Sequence, residues 1–154
     1  MKQESKQGLS KTTCEWLIAN NYNPEELNQR RENGDTALMK ATRIGNYSVV
    51  QELIRAGADI NYRNHDGNNA LWFACFGNHY ELINLLLEVK INIDNQNDNG
   101  ATALMYAASS GKAEVVKLLL PHLPNLNLKN LDDYKAIDFA STVEVLRMLK
   151  DAGK

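Results

Sequence analysis

The sequence predicts an all-α solenoid of stacked helix-turn-helix units with hairpin fingers. Three observations predict it: an ungapped 33-residue recurrence, a glycine-punctuated pair of short amphipathic helices in each copy, and an Asn-rich polar segment after each pair. Gly34, Thr36, Ala37, Leu38, Met39 and Ala41 return as Gly100, Thr102, Ala103, Leu104, Met105 and Ala107, two periods later. Gly67, Ala70, Leu71 and Ala74 hold the same register between them. Aligned without a gap, 34–66 and 100–132 agree at 13 of 33 positions.

Within each copy the first helix lasts about two turns, with Leu38 and Ala41 on one side in the first unit. Gly45 then supplies the positive φ that lets the chain reverse, and Gly111 repeats it. Asn78 holds the position in the middle unit, Asn being the next residue able to adopt the left-handed conformation. The second helix shows an i, i+1, i+4, i+5 apolar stripe: Val49, Val50, Leu53, Ile54, then Leu82, Ile83, Leu86, Leu87, then Val115, Val116, Leu119, Leu120. A helix pair with apolar flanks on both sides cannot cover them alone, so the units must stack. The segments 59–66, 92–99 and 125–132 form the fingers, anchored by Ile60, Ile93 and Leu126.

The ends depart from the repeat, as a stack requires. A flexible tail is expected over 1–9 and a single domain over 10–154. That domain comprises a capping half-unit at 10–33, units at 34–66, 67–99 and 100–132, and a C-terminal cap at 133–154. A helix near 12–21 turns Cys14, Leu17 and Ile18 inward, with Trp16 along its edge. The last helix turns Val145, Leu146 and Leu149 inward and Glu144, Arg147 and Asp151 to water. Pro121 and Leu123 stop the third outer helix early. In the last unit Asp133 takes the leading glycine's place and the inter-helix turn shortens to Ser141 and Thr142.

Composition narrows the function classes. At 154 residues the chain fits one domain, and its 44% apolar and 23% charged content is that of a globular protein. A net charge of -2 gives no field for nucleic acid or an anionic membrane, and no apolar run approaches a bilayer span. No secretory leader is evident at the start of the sequence. Cys14 and Cys75 have no partner pattern, so buried thiols in a reducing, cytoplasmic setting are expected.

The period, the Gly-x-Thr-Ala-Leu-x-x-Ala run, the Glu81-Leu82-Ile83 and Glu114-Val115-Val116 runs, and Ala56-Gly57-Ala58-Asp59-Ile60-Asn61 together resemble the ankyrin repeat over about residues 10–154. The family's Thr-Pro-Leu-His becomes Thr36-Ala37-Leu38-Met39, Asn69-Ala70-Leu71-Trp72, Thr102-Ala103-Leu104-Met105 and Lys135-Ala136-Ile137-Asp138. Proline and histidine are therefore both replaced. The resemblance implies a protein-binding array whose fingers and first helices line a concave side.

Chemistry-bearing patterns are sparse. His65, His79 and His122 fall on a finger, a helix turn and a helix end, which does not converge on a metal, and His79 is expected to be structural. Ser109-Ser110-Gly111-Lys112 lacks the first glycine and the strand of a phosphate loop. The acidic stretch 94–100 lacks the spacing and closing Glu of a calcium loop. Asp132 and Asp133 are expected to be solvated, and nucleophile-base motifs are missing. No enzyme, cofactor or metal is expected.

What remains is a surface for a partner protein. The finger ladder runs from Arg30 and Arg31 through Arg63 and His65 to Asp94 and Asp98, then Lys129, Asp132 and Asp133. This change of sign would orient a charged partner. On the first helices Met39, Trp72 and Met105 replace histidine, and Arg43 and Phe76 stand at the helix ends. Aromatic, Met and Arg side chains are enriched at interface centres. The expected contact set is Arg31, Met39, Arg43, Arg63, His65, Trp72, Phe76, Asp98 and Met105, with Phe73 and Tyr106 filling core. Tyr62, Leu128, Leu131 and Tyr134 are weaker candidates on the fingers. The expected function is non-enzymatic capture of a partner protein by a free monomer, as an adaptor, assembly factor or inhibitor. The alternative is a small-ligand binder or enzyme using the Trp72/Phe76 patch. Nucleic-acid binding through Arg30, Arg31, Arg43 and Arg63 is disfavoured by the acidic half.

Overall fold

The computed structural model describes residues 8–154. Among these, eight α-helices run in order: α1 Lys11–Ala19, α2 Ala37–Arg43, α3 Tyr47–Arg55, α4 Ala70–Phe76, α5 Tyr80–Glu88, α6 Ala103–Ser109, α7 Ala113–Leu119 and α8 Val143–Ala152. Short 3-10 turns occupy Leu120–His122 and Ala136–Phe139. The helices form two layers. In the inner layer α2 packs on α4, α4 on α6, and α6 on the 3-10 turn at Ala136–Phe139; in the outer layer α1, α3, α5, α7 and α8 follow one another.

Each inner helix starts where a polar side chain can accept a backbone N–H at its open end. Thr36 accepts from the Met39 amide at 3.2 Å, Asn69 from Trp72 at 3.4 Å and Thr102 from Met105 at 3.1 Å. The cap thus survives the loss of the proline. Between the layers Ala41, Ala74 and Ala107 are fully buried, and their lack of bulk lets each helix pair close. Leu53, Leu86 and Leu119 recur behind them, equally buried. Burying a leucine is worth roughly 1.5–3 kcal/mol, so a unit that parted from its neighbours would lose several such contributions.

The helix turns follow the expected left-handed geometry. Gly45, Asn78 and Gly111 have φ of 78°, 55° and 65°. The residue that follows the second and third of these turns ties two units together. His79 Nε2 lies 2.9 Å from the Arg43 carbonyl, and 33 residues on Lys112 Nζ donates to the carbonyls of Phe76 at 2.8 Å and Cys75 at 3.1 Å. Both satisfy C-terminal carbonyls of the preceding inner helix that have no partner in the helix itself. His79 is structural, as its turn position implies, and Lys112 is a staple.

The ends show three differences from expectation. Of the tail expected at 1–9, residues 1–7 lie outside the described residues, and Leu9 is fully buried in the core. On α1 the inward residues are Thr13 and Leu17, whereas Ile18 is 63% exposed. The helix is rotated because the Glu52 carboxylate of α3 draws its first turn in. It accepts from the Ser10 amide at 2.8 Å, the Ser10 hydroxyl at 3.0 Å and the Thr13 hydroxyl. Burial alone would raise the Glu52 pKa, but these hydrogen bonds and Arg55 outweigh it and hold the carboxyl below its usual range. Cys14 is only half-buried, while Cys75 is buried with its thiol pushed up to about 12 by desolvation. At the other end α7 is seven residues long against nine for α3 and α5, as Pro121 predicts, while Leu123 keeps with a φ of 56° the left-handed conformation of its counterparts Gly57 and Lys90 despite the missing glycine.

The fingers are turns rather than paired strands. Among the described residues the one isolated bridge joins Arg30 and Thr36. Each tip closes on itself instead, as where the Asn64 amide meets the Asn68 carbonyl at 2.9 Å and the Asn97 amide meets Ala101 at 2.9 Å.

Candidate functional site

The inner helices and the fingers share one face, and repeated polar positions build its finger half. Asn64, Asn97 and Asn130 stand 33 residues apart. Each side-chain oxygen accepts two backbone amides: Asn64 from Asp66 and Asn68, Asn97 from Asn99 and Ala101, Asn130 from Asp132 and Tyr134, all at 3.0 Å. Adjacent fingers are joined by backbone bonds, His65 to Asn33 at 2.9 Å, Asp98 to Asp66 at 3.0 Å and Leu131 to Asn99 at 3.0 Å. A second ladder consists of long side chains. Arg63 donates to the Gly67 carbonyl at 3.1 Å and the Gln96 carbonyl of the next finger at 2.9 Å. Arg30 and Gln96 make the equivalent bonds one unit either side. Arg63 is therefore a strut between fingers, although its side chain remains half-exposed 3.8 Å from Asp98. His65 and Asp98 are exposed on the same ladder.

The helical half of the face centres on aromatic rings. Tyr106 of α6 lies between Trp72 and Phe76 of α4, with ring centroids 5.0 Å and 6.0 Å away. Phe76 is 60% exposed, and Trp72 and Tyr106 are half-buried. The Lys112 ammonium sits 5.3 Å from the Tyr106 ring and 5.8 Å from that of Phe76, within cation–π range. Tyr106, expected to fill core, does so only in part: it packs against the core on one side and carries the rings of Trp72 and Phe76 at its half-buried edge. Phe73 is buried as expected, and the Arg43 guanidinium covers its ring at 4.3 Å.

Met39 and Met105 are corrections. Both are buried, at 1% and 3% exposure, and cannot meet a partner. An unbranched thioether folds into the gap between units, and Met105 Sδ even receives the Thr102 amide at 3.5 Å. The rigid indole of Trp72 cannot follow it in, and stays partly outside.

At the first unit the face ends in a cavity of about 260 Å³ lined by Tyr22, Arg31, Glu32, Asn33, Asp35, Lys40 and Arg43. Asp35 is 2% exposed and fully engaged. Its Oδ2 accepts from Arg43 at 2.5 Å and Asn33 at 3.0 Å, its Oδ1 from Asn64 at 2.9 Å. Tyr22 donates to the Asp35 carbonyl at 3.1 Å, and burial together with the Asp35 charge raises its pKa to about 12. It is a neutral donor throughout the physiological range.

A family model described as ankyrin repeats (3 copies) matches residues 3–97 and 89–154. The chain is an ankyrin-repeat protein. No curated protein matches it. Ankyrin repeats are in general protein–protein interaction modules and typically non-enzymatic. In this ankyrin array no group of three His, Cys, Asp or Glu among the described residues is placed to hold a metal ion, and no helix there is long and apolar enough to cross a membrane.

Of the expected contact residues, the ankyrin face brings together Trp72 and Phe76 in one cluster and Arg31 and Arg43 in another. Arg63, His65 and Asp98 lie on the fingers, and Met39 and Met105 do not reach the surface. Sequence reasoning missed Tyr106, Lys112, Lys40 and Tyr22. The 33-residue register held a signal for one of them, since Lys112 repeats His79.

Proposed function

We propose that this ankyrin array captures a partner protein on its inner-helix and finger face, with the Trp72–Tyr106–Phe76 stack as the anchor. One observation carries the reading: a stack of three rings whose outermost member is mostly solvent-exposed, edged by Lys112 and held on rigid helices. Exposed rings cost hydration free energy that only a covering surface recovers, and aromatic side chains dominate the centres of protein interfaces. The protein acts without catalysis, as a monomer in the cytoplasm, and binds neither nucleic acid nor membrane. Its net charge of -2 supports the last point. An adaptor, assembly factor or inhibitor would all use the same face. The exposure of Phe76 favours a macromolecular partner over an enclosed small ligand.

The test is a capture experiment from the source cell, with mass spectrometry of the bound proteins. Phe76→Ser should remove the retained partner, weakening capture about tenfold or more as for a hot-spot residue, with an unchanged melting temperature. Glu114→Gln, on an exposed outer-helix position, should leave capture intact. Equal capture by the parent protein and Phe76→Ser would remove the stack from the interface.

A further inference from the structure

We infer that the cavity beside the first finger is a carboxylate site, taking one Asp or Glu side chain of the polypeptide whose apolar group rests on Trp72, Tyr106 and Phe76. The inference rests on the reading of that face as protein-binding.

Four observations carry it. Arg31 occupies the position at which Asn64, Asn97 and Asn130 organise the later fingers. A guanidinium has no acceptor atom and cannot do that work. Asn33 accepts the Asp35 amide instead, at 2.9 Å, and Arg31 turns into the cavity wall with one hydrogen bond, from Nη1 to the Asn21 carbonyl at 3.3 Å. Its remaining donors face solvent and the cavity. Lys40 stands opposite on α2 and, among the described residues, enters no ion pair.

The charge of the walls then selects the ligand. Arg31, Lys40 and Arg43 face Glu32 and the engaged carboxylate of Asp35, so one positive charge is in excess. That balance suits a monoanion. A phosphate dianion or a nucleic-acid backbone would meet Glu32 here and the acidic fingers beyond, at Asp98 and Asp132. Arg and Lys donors converging on one point bind a carboxylate through charge-assisted hydrogen bonds.

The site is continuous with the aromatic anchor. Arg43, pinned by Asp35, forms the cavity wall with one side and covers the Phe73 ring with the other, next to Trp72 on α4. Helix axes pack about 8–10 Å apart, so the cavity on the first unit and the stack on the second and third lie about 10–20 Å apart. An extended segment of roughly three to six residues covers that span. The partner therefore presents an acidic residue and, about five positions away, an aromatic or large apolar one.

The test uses a capped hexapeptide, acetyl-Glu-Gly-Gly-Gly-Gly-Phe-amide, and its Gln counterpart, titrated into isotopically labelled protein at low salt. The Glu peptide should move the Nε–Hε signal of Arg31 and the indole signal of Trp72, and bind about fivefold or more tightly than the Gln peptide. In the Arg31→Gln/Lys40→Gln double variant that preference should vanish while the Trp72 response persists. Equal affinities in the parent protein, a preference that survives the double variant, or no response at Arg31 would each overturn the carboxylate site. Inorganic phosphate that displaces the Glu peptide at lower concentration than acetate would overturn the choice of ligand. Failure of the protein-binding reading has its own signature: an Arg31 response with Trp72 unmoved.

Discussion

The leading edge of the array, where the capping half-unit meets the first unit, shares the period of the units that follow but not their division of labour. In units one and two the fingertip residue is asparagine, Asn64 or Asn97, and its side chain is spent on holding the turn. In the capping half-unit the same position is Arg31, whose side chain holds nothing in its own turn. The outer helices differ in the same way. Leu85 and Leu118 are the apolar counterparts of Glu52, which instead receives the hydroxyls and amide of the capping helix. The body of the array thus spends its repeated positions on self-assembly, whereas its leading edge converts two of them, Arg31 of the capping half-unit and Glu52 of the first unit, to polar chemistry. A repeat position has one structural solution available in every copy, and a copy that abandons it exposes a residue for another use.

The contrast makes Asn64 the most damaging position to change. Asn64→Ala removes hydrogen bonds to two backbone amides and to buried Asp35, leaving the Asp35 oxygen short of a donor, and should cost roughly 2–4 kcal/mol. Chemical denaturation measures it. Arg31→Asn is the mirror experiment and should change stability by no more than about 0.5 kcal/mol, because it restores the residue used in the other fingers. A large loss there would show that Arg31 holds its finger after all.

Glu52→Gln should cost about 1–2 kcal/mol by weakening charge-assisted bonds to the capping helix. The folded-state pKa is depressed, so the parent's advantage is complete above the ordinary glutamate value of about 4.3 and disappears as pH falls through the lower folded value. Denaturation curves of both proteins between pH 7 and pH 3 should therefore converge on the acid side. Parallel curves would mean that Glu52 holds the cap by shape rather than charge.

The smallest expected effect distinguishes the end from the middle by reactivity. Cys75 is buried with a thiol pushed up to about 12, so at pH 8 an alkylating reagent should modify half-buried Cys14 in the native protein and reach Cys75 only on unfolding. Native modification of both at similar rates would show the middle of the array opening as readily as its edge.

Much of this protein is legible from residue order alone. The helix stripes, the left-handed turn at Asn78 and the shortened α7 follow from local rules that act within a turn or two of chain, and the 33-residue spacing sets their register. That Trp72 and Phe76 reach the surface was also legible, because each breaks the pattern of its register. Met39 and Met105 break the same pattern yet are buried, since whether a side chain folds into the gap between units depends on its flexibility against a neighbour 33 residues away. The same distance hides the roles of Arg63, Tyr106 and Lys112. Each completes its contacts on an adjacent unit, and only the stacked array brings those groups within hydrogen-bonding or ring-contact range. Local order therefore sets the units and their register, while the identity of the face, with its struts, its aromatic stack and its cationic cavity, is decided by what stacking places side by side.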